Sequence, residues 1–197
     1  MLSTSRSRVR AFAAVGMAAV VVTVGAVTYQ ASAAELAPPP PVGAHARADE
    51  IPAIPDAIKP PANSRPIGVY LVVSGTQNYT CVVPDGATSG AYTGSSTPEA
   101  RLMGTGGPVH HFGGPSWQSE RDKSLVTGGK KIVSARAGAI PELLVQVNSH
   151  SGSGIMDKAD YISRLATSGG VAPAGSCASG DVARVSYRAM YVFWDAP

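Results

Sequence analysis

Between Arg184 and Phe193 the chain alternates at almost every step. Val185, Tyr187, Ala189, Tyr191 and Phe193 fall on one side, and Arg184, Ser186 and Arg188 on the other. Successive side chains of a strand point to opposite faces, so this pattern predicts a half-buried strand. The same texture recurs upstream. Gly68 to Ser74 is rich in β-branched residues, Ser74-Gly75-Thr76 offers a turn or bulge, and Gln77 to Val83 continues as a strand with Tyr79, Cys81 and Val83 on one face. Further strands are expected at 90–95, 108–112, 124–127, 131–135 and 143–148. The stretch 155–167 carries helical spacing at Ala159, Ile162 and Leu165, with Asp157 as a cap. Its second half, 161–167, also reads as a strand, and that reading is adopted. Glycines and Ser/Thr/Asn/Asp clusters separate these segments at intervals of roughly 8–12 residues, the rhythm of a sandwich or barrel. The expected fold is all-β or nearly so: a single β-sandwich or β-barrel-like domain over residues 67–197, closed by one disulfide.

The N-terminus sets an expectation about compartment. Arg6, Arg8 and Arg10 precede an uncharged apolar run from Ala11 to Tyr29, and Ala31-Ser32-Ala33 supplies a small-x-small cleavage pattern. This order of basic, apolar and small residues is that of a secretory signal peptide over 1–33; an uncleaved membrane anchor is the alternative, since a spanning helix needs about 20 apolar residues. Cleavage would leave no membrane span. The chain has 16 Lys+Arg and 13 Asp+Glu. Three arginines and no acid leave with the leader, so 13 of each sign remain. The basic excess belongs to the export signal, and nucleic acid is excluded as the main partner. Residues 34–66 follow as a proline-rich linker or extended arm, with Pro38 to Pro41 in a row. Such a stretch favours polyproline conformations and packs no core of its own, although Ile51, Ile54 and Ile58 are placed to touch the domain.

Cys81 and Cys177 are the two cysteines. In an exported protein an even count favours a disulfide, with two buried thiols or an intermolecular link as the alternatives. An intramolecular bridge would close a loop of nearly a hundred residues, stabilising by roughly 4–5 kcal/mol on chain-entropy grounds.

No catalytic signature is complete. Gly-x-Ser-x-Gly, His-Glu-x-x-His and a phosphate loop are absent. Gly104-Thr105-Gly106-Gly107 lacks the third glycine of a dinucleotide loop and has no βαβ setting, so no cofactor is implied. Three clusters are candidates for ligand binding. In His110 to Trp117, adjacent histidines must face opposite ways, and His111 beside Trp117 could bind a sugar or metal; alternatively Trp117 packs in the core with one histidine bonded to backbone. Two histidines do not make a zinc site. His150 lies in a polar loop, Asn148 to Gly154, that either lines a pocket or merely connects strands. Arg164, among apolar residues, either holds an anionic ligand or pairs with Glu99, Glu142 or Asp160.

Several motifs taken together resemble an exported family catalogued as domain of unknown function 3455. They are Gly75-Thr76-Gln77-Asn78-Tyr79-Thr80-Cys81, Thr97 to Leu102, His111 to Trp117, Ala139-Ile140-Pro141, Ser149 to Gly154, Tyr161 to Arg164, Gly169 to Pro173 with Cys177, and Tyr187 to Phe193. This chain has Glu142 and Tyr92 where the family pattern leads one to expect tryptophan. The resemblance implies a secreted or surface β domain and brings no established activity. The function expected is therefore a secreted or cell-surface, non-enzymatic module that binds a surface component or small ligand through His111, Trp117, His150 and Arg164. Two alternatives stand beside it: an extracellular hydrolase or metal-dependent enzyme using His111 and His150 with a carboxylate such as Glu99 or Glu142, and a structural envelope protein without a pocket.

Overall fold

Tyr187, Ala189, Tyr191 and Phe193 are all buried on one face of a 14-residue strand, β10 (Val182–Asp195). The computed structural model that shows this describes residues 48–93 and 95–197. The signal peptide expected at 1–33, its cleavage site, and the first part of the proline-rich segment lie outside the described residues. Among the described residues ten strands form: β1 (Arg65–Thr80), β2 (Gly90–Ala91), β3 (Thr97–Gly104), β4 (Gly107–Phe112), β5 (Ser116–Ser119), β6 (Leu125–Ser134), β7 (Glu142–Ser151), β8 (Tyr161–Gly169), β9 (Ser176–Cys177) and β10. Eight of them close an antiparallel barrel in the order β1-β10-β8-β7-β6-β5-β4-β3, and β2 and β9 make a separate two-stranded ribbon. The fold is nearly all-β, as expected, and of the two forms allowed it is the barrel. Among the described residues no helix is long and apolar enough to cross a membrane.

Two pairs of expected strands are each one bulged strand. β1 shifts register between Val72 and Ser74 against β3 and between Leu71 and Thr76 against β10, without breaking. Gly75 sits there because an added Cβ would lie 2.5 Å from the Ala100 Cβ. Likewise 124–127 and 131–135 join as β6 through an irregularity at Gly128. A Cβ on Gly128 would stand 2.5 Å from Val145 and 3.2 Å from the Trp117 ring, so the glycine makes room for the tryptophan. β3 was not expected. Its inward positions include Pro98, Ala100 and Gly104, weak strand formers that hide the alternation.

The barrel interior is one apolar cluster built on Tyr70, Leu102, Trp117, Ile162, Tyr191 and Phe193. Its β7–β8 end is closed by the segment before β8, which turns over the opening and buries Met156 and Ala159 instead of forming a helix. Asp122 fastens this plug. One carboxylate oxygen accepts the Ser124 amide (3.0 Å) and hydroxyl (2.6 Å), and the other accepts the Ile155 amide (3.1 Å). These bonds, the Ser124 hydroxyl first among them, hold the Asp122 carboxyl down at about 2.

A second apolar cluster lies on the outside. Val69, Leu144, Leu165, Met190, Val192 and Trp194 are buried there under Ile58, with Ile51, Ile54, Leu71 and Tyr161 packed at the margin. This explains why β10 is buried on both faces from Ala189 to Trp194 although its alternation predicts one wet face. The described part of the proline-rich arm, including short 3-10 turns at Ala48–Glu50 and Asp56–Ile58, lies over the barrel wall, and its isoleucines touch the domain as placed.

Cys81 and Cys177 form the disulfide, with a Cα–Cα separation of 5.9 Å and a sequence separation of 96. The bridge joins the chain just past β1 to the β2/β9 ribbon.

Two outcomes follow for stability. Ile58 is 0% exposed, so Ile58→Ala should cost about 2–5 kcal/mol in urea unfolding, and Ile51→Ala, half-buried, clearly less. Asp122 has a depressed pKa, so its contribution is complete above about pH 4 and is lost as pH falls towards 2. Asp122→Ala should lower the melting temperature at pH 7 and converge on the parent protein near pH 2.

Candidate functional site

A cavity of about 290 Å³ enters the other end of the barrel. β4 contributes His111, β5 Trp117, β8 Arg164, β10 Tyr191 and β1 Gln77 and Tyr79, while Ser95 and Ser96 line it from the loop before β3 and Ile140 and Pro141 from the segment before β7. These side chains arrive together because the strands are in register: His111 pairs with Trp117, and Tyr191 with Arg164. Gly170, at φ +76°, comes so close to Tyr187, Ile140 and Gln77 that a Cβ would lie 2.8 Å from the Tyr187 Cβ. Its carbonyl accepts the Tyr79 hydroxyl at 2.6 Å.

His111 and Trp117 are 2% and 1% exposed. Their rings stack at 4.5 Å and within 5° of parallel, and Tyr191 meets both edge-on. The His111 Nδ1–H donates to the Ser116 carbonyl at 2.9 Å. A carbonyl can only accept, so Nδ1 carries the proton and Nε2 presents a lone pair. Burial pushes the His111 pKa down to about 3, outweighing the opposite pull of the Ser116 bond, and the ring is neutral at any ordinary pH.

A polar seam crosses the cavity. The Ser96 hydroxyl donates to Gln77 Oε1 at 2.5 Å. Tyr187 neighbours Gln77, and its hydroxyl lies 3.3 Å from that of Tyr191. Arg164 stands beside Tyr191 and donates through Nε (3.1 Å) and Nη2 (2.8 Å) to the Pro141 carbonyl. Burial raises the pKa of both tyrosines, so they remain phenols; Arg164 pulls the other way and does not prevail. Two buried donors are left over. The Trp117 Nε1 and the Gln77 Nε2, on residues 1% and 2% exposed, have no hydrogen bond.

Three of the four residues singled out from sequence, His111, Trp117 and Arg164, line this cavity. His150 does not. It lies on β7 across from Val126, at the plugged end, where Nε2 bonds the Ala159 carbonyl at 3.0 Å. The loop expected at Asn148 to Gly154 is strand as far as Ser151. His110 faces outward to Glu99 at 2.7 Å. The ion pair proposed for Arg164 is corrected: Glu142 is held by Arg136 (2.9 Å) and the Ala166 amide (2.7 Å), Glu99 by His110, and Asp160 by the Ala196 amide. Arg164 shares the inward face with Tyr191, and none of these acids lines the cavity. Gln77, Lys131 and Tyr191 were missed as site residues. Gln77 was detectable, since period two puts it on the face of Tyr79 and Cys81.

Residues 105–195 match the family model described as a protein of unknown function (DUF3455). The matched span includes His111, Trp117, Lys131, Arg164 and Tyr191. No curated protein and no solved structure matches the chain.

The neutral imidazole has a consequence for acid stability. Below about pH 6.5 an unfolded histidine takes up a proton that folded His111 refuses down to about 3. Native stability should therefore fall by up to about 1.4 kcal/mol per pH unit across that window. Urea unfolding at pH 7.5, 6, 5 and 4 should show this slope in the parent protein and a flatter one in His111→Gln.

Proposed function

We propose that this chain, a DUF3455 family member through residues 105–195, is an exported, non-enzymatic binding module that takes a small ligand into the mouth of its barrel. One observation carries the reading: Trp117 Nε1 and Gln77 Nε2 are buried, unpartnered, and belong to residues lining the same cavity. A buried donor without a partner costs about 1–3 kcal/mol, and a ligand acceptor offsets that cost. Eight-stranded barrels have interiors just wide enough to be filled by side chains or to hold one small ligand. Here the β7–β8 end is filled and the mouth, beside the β6–β7 turn, is not.

The enzyme reading has less support. His111 and His150 line no common cavity, Glu99 sits on the outer surface, and Glu142 is engaged elsewhere. Among the described residues no three His, Cys, Asp or Glu side chains stand close enough to hold a metal ion. A purely structural envelope role gives no reason for a cavity with buried polar donors. Export, at the cell surface or beyond it, rests on the order of residues in 1–33 and accords with the Cys81–Cys177 bridge.

A thermal-shift screen of small polar and aromatic compounds on the full chain, as processed by an exporting host, tests both halves. Some compound should raise the melting temperature, and Trp117→Phe, which keeps a ring but removes the N–H, should cut that shift by more than half. A screen in which nothing stabilises the parent protein sinks the binding reading. N-terminal sequencing of the recovered protein should begin at Ala34; an intact Met1 in the cell interior would remove the case for export.

A further inference from the structure

The cavity is unbalanced in charge. Arg164 and Lys131 line it, and among the described residues no aspartate or glutamate does. Among the described residues neither cation is in an ion pair, although Lys59, Arg65, Arg101 and Arg136 each find a carboxylate. Arg164 is half-buried, and a guanidinium withdrawn from water without a counter-charge is costly. Its Nε and Nη2 are spent on the Pro141 carbonyl, which fixes the plane of the fork. The guanidinium also stands beside the Tyr191 hydroxyl. A guanidinium held this way is shaped for a two-oxygen anion. Lys131, exposed at the mouth, supplies a second positive charge without a second constraint. The rest of the lining is mixed: Gln77, Ser95 and Ser96 are polar, while Pro115, Leu143 and Val145 supply an apolar side alongside Trp117. At about 290 Å³ the space lies at the lower limit of the usual ~300–1,000 Å³ ligand pocket.

We infer that the ligand is a small organic carboxylate with a compact apolar body, its carboxylate held by Arg164 with Lys131 nearby and its body against Trp117, Leu143 and Val145. This rests on the binding-module reading and adds the chemical class of the ligand. The buried N–H groups of Gln77 and Trp117 are further donors to the same molecule. The neutral His111 adds no positive charge to the site, so its preference for a singly charged group over a phosphate comes from the apolar walls.

Isothermal titration and tryptophan fluorescence on the full chain, with benzoate, cinnamate and indole-3-acetate, their uncharged amides, and inorganic phosphate, test this. The best carboxylate should bind at least tenfold more tightly than its amide and than phosphate. Arg164→Gln should weaken the carboxylate tenfold or more and the amide far less. Because Arg164 also holds the Pro141 carbonyl, Lys131→Gln is the second variant; on its exposed site it should weaken the carboxylate two- to fivefold with an unchanged melting temperature. Amides that bind as well as carboxylates, or carboxylate binding indifferent to both substitutions, would overturn the assignment while leaving the binding module intact. Phosphate binding as tight as the best carboxylate would overturn the apolar body. If none of these probes binds and the neutral compounds of the screen also fail, the binding module itself falls.

Discussion

The barrel exists because its first strand pairs with its last. β1 and β10 are the longest strands, 16 and 14 residues, and they run together from Arg65 opposite Asp195 to Thr80 opposite Val182. β1 then pairs with β3 on its other side. Removing this pairing would leave an open eight-stranded sheet with β1 and β10 as its edges, the kind of surface that recruits other chains. Closure satisfies those edges and brings Gln77 and Tyr79 of β1 round to face Arg164 and Tyr191. The cavity is thus a product of closure, with walls drawn from both ends of the chain.

The same two strands carry the outer apolar patch. Val69 on β1 and Met190 and Val192 on β10 would face water if the barrel stood alone; Ile58 and its neighbours cover them. The arm therefore belongs to the barrel's packing from at least Ile51 onward. Proline-rich composition argues against an independent core, and it is silent about a segment that borrows one.

How much was legible from sequence follows from what each strand offered. β10 was legible because its alternation is strong, with Tyr187, Tyr191 and Phe193 facing in; β8 was read as a strand against a competing helical spacing at Ala159, Ile162 and Leu165. β3 was not, because Pro98, Ala100 and Gly104 on its inner face lack the bulk that marks a buried row. β5 was not expected either, since four residues between Pro115 and Glu120 are too few to show a period. In the site, the bland readings of Trp117 as core and of one histidine bonded to backbone both describe the geometry, and both residues nevertheless line the cavity. His150 was grouped with His111 by residue type alone. Only the register, which runs His111, Trp117, Val126, His150 across four strands, shows that they are separated by the barrel's own core. The missing counter-charge of Arg164 was invisible because it is a property of what surrounds a residue in space.

The position of the disulfide changes what kind of problem closure is. Thr80 and Val182, the last pair of the β1–β10 ladder, stand directly beside Cys81 and the segment from Cys177, and the Cys81 amide bonds the Asp181 carbonyl at 2.9 Å. Along the chain these strands are about a hundred residues apart, the class of contact that forms slowly because a long loop must close first. Once the sulfurs are joined, the separation shrinks to a few residues on either side of the bridge. The cystine then plays the part of a hairpin turn for two strands that no turn connects. Strands β3 to β8 lie within the covalent ring, and β1 and β10 leave it as two tails starting from one point, already in register to zip towards Arg65 and Asp195.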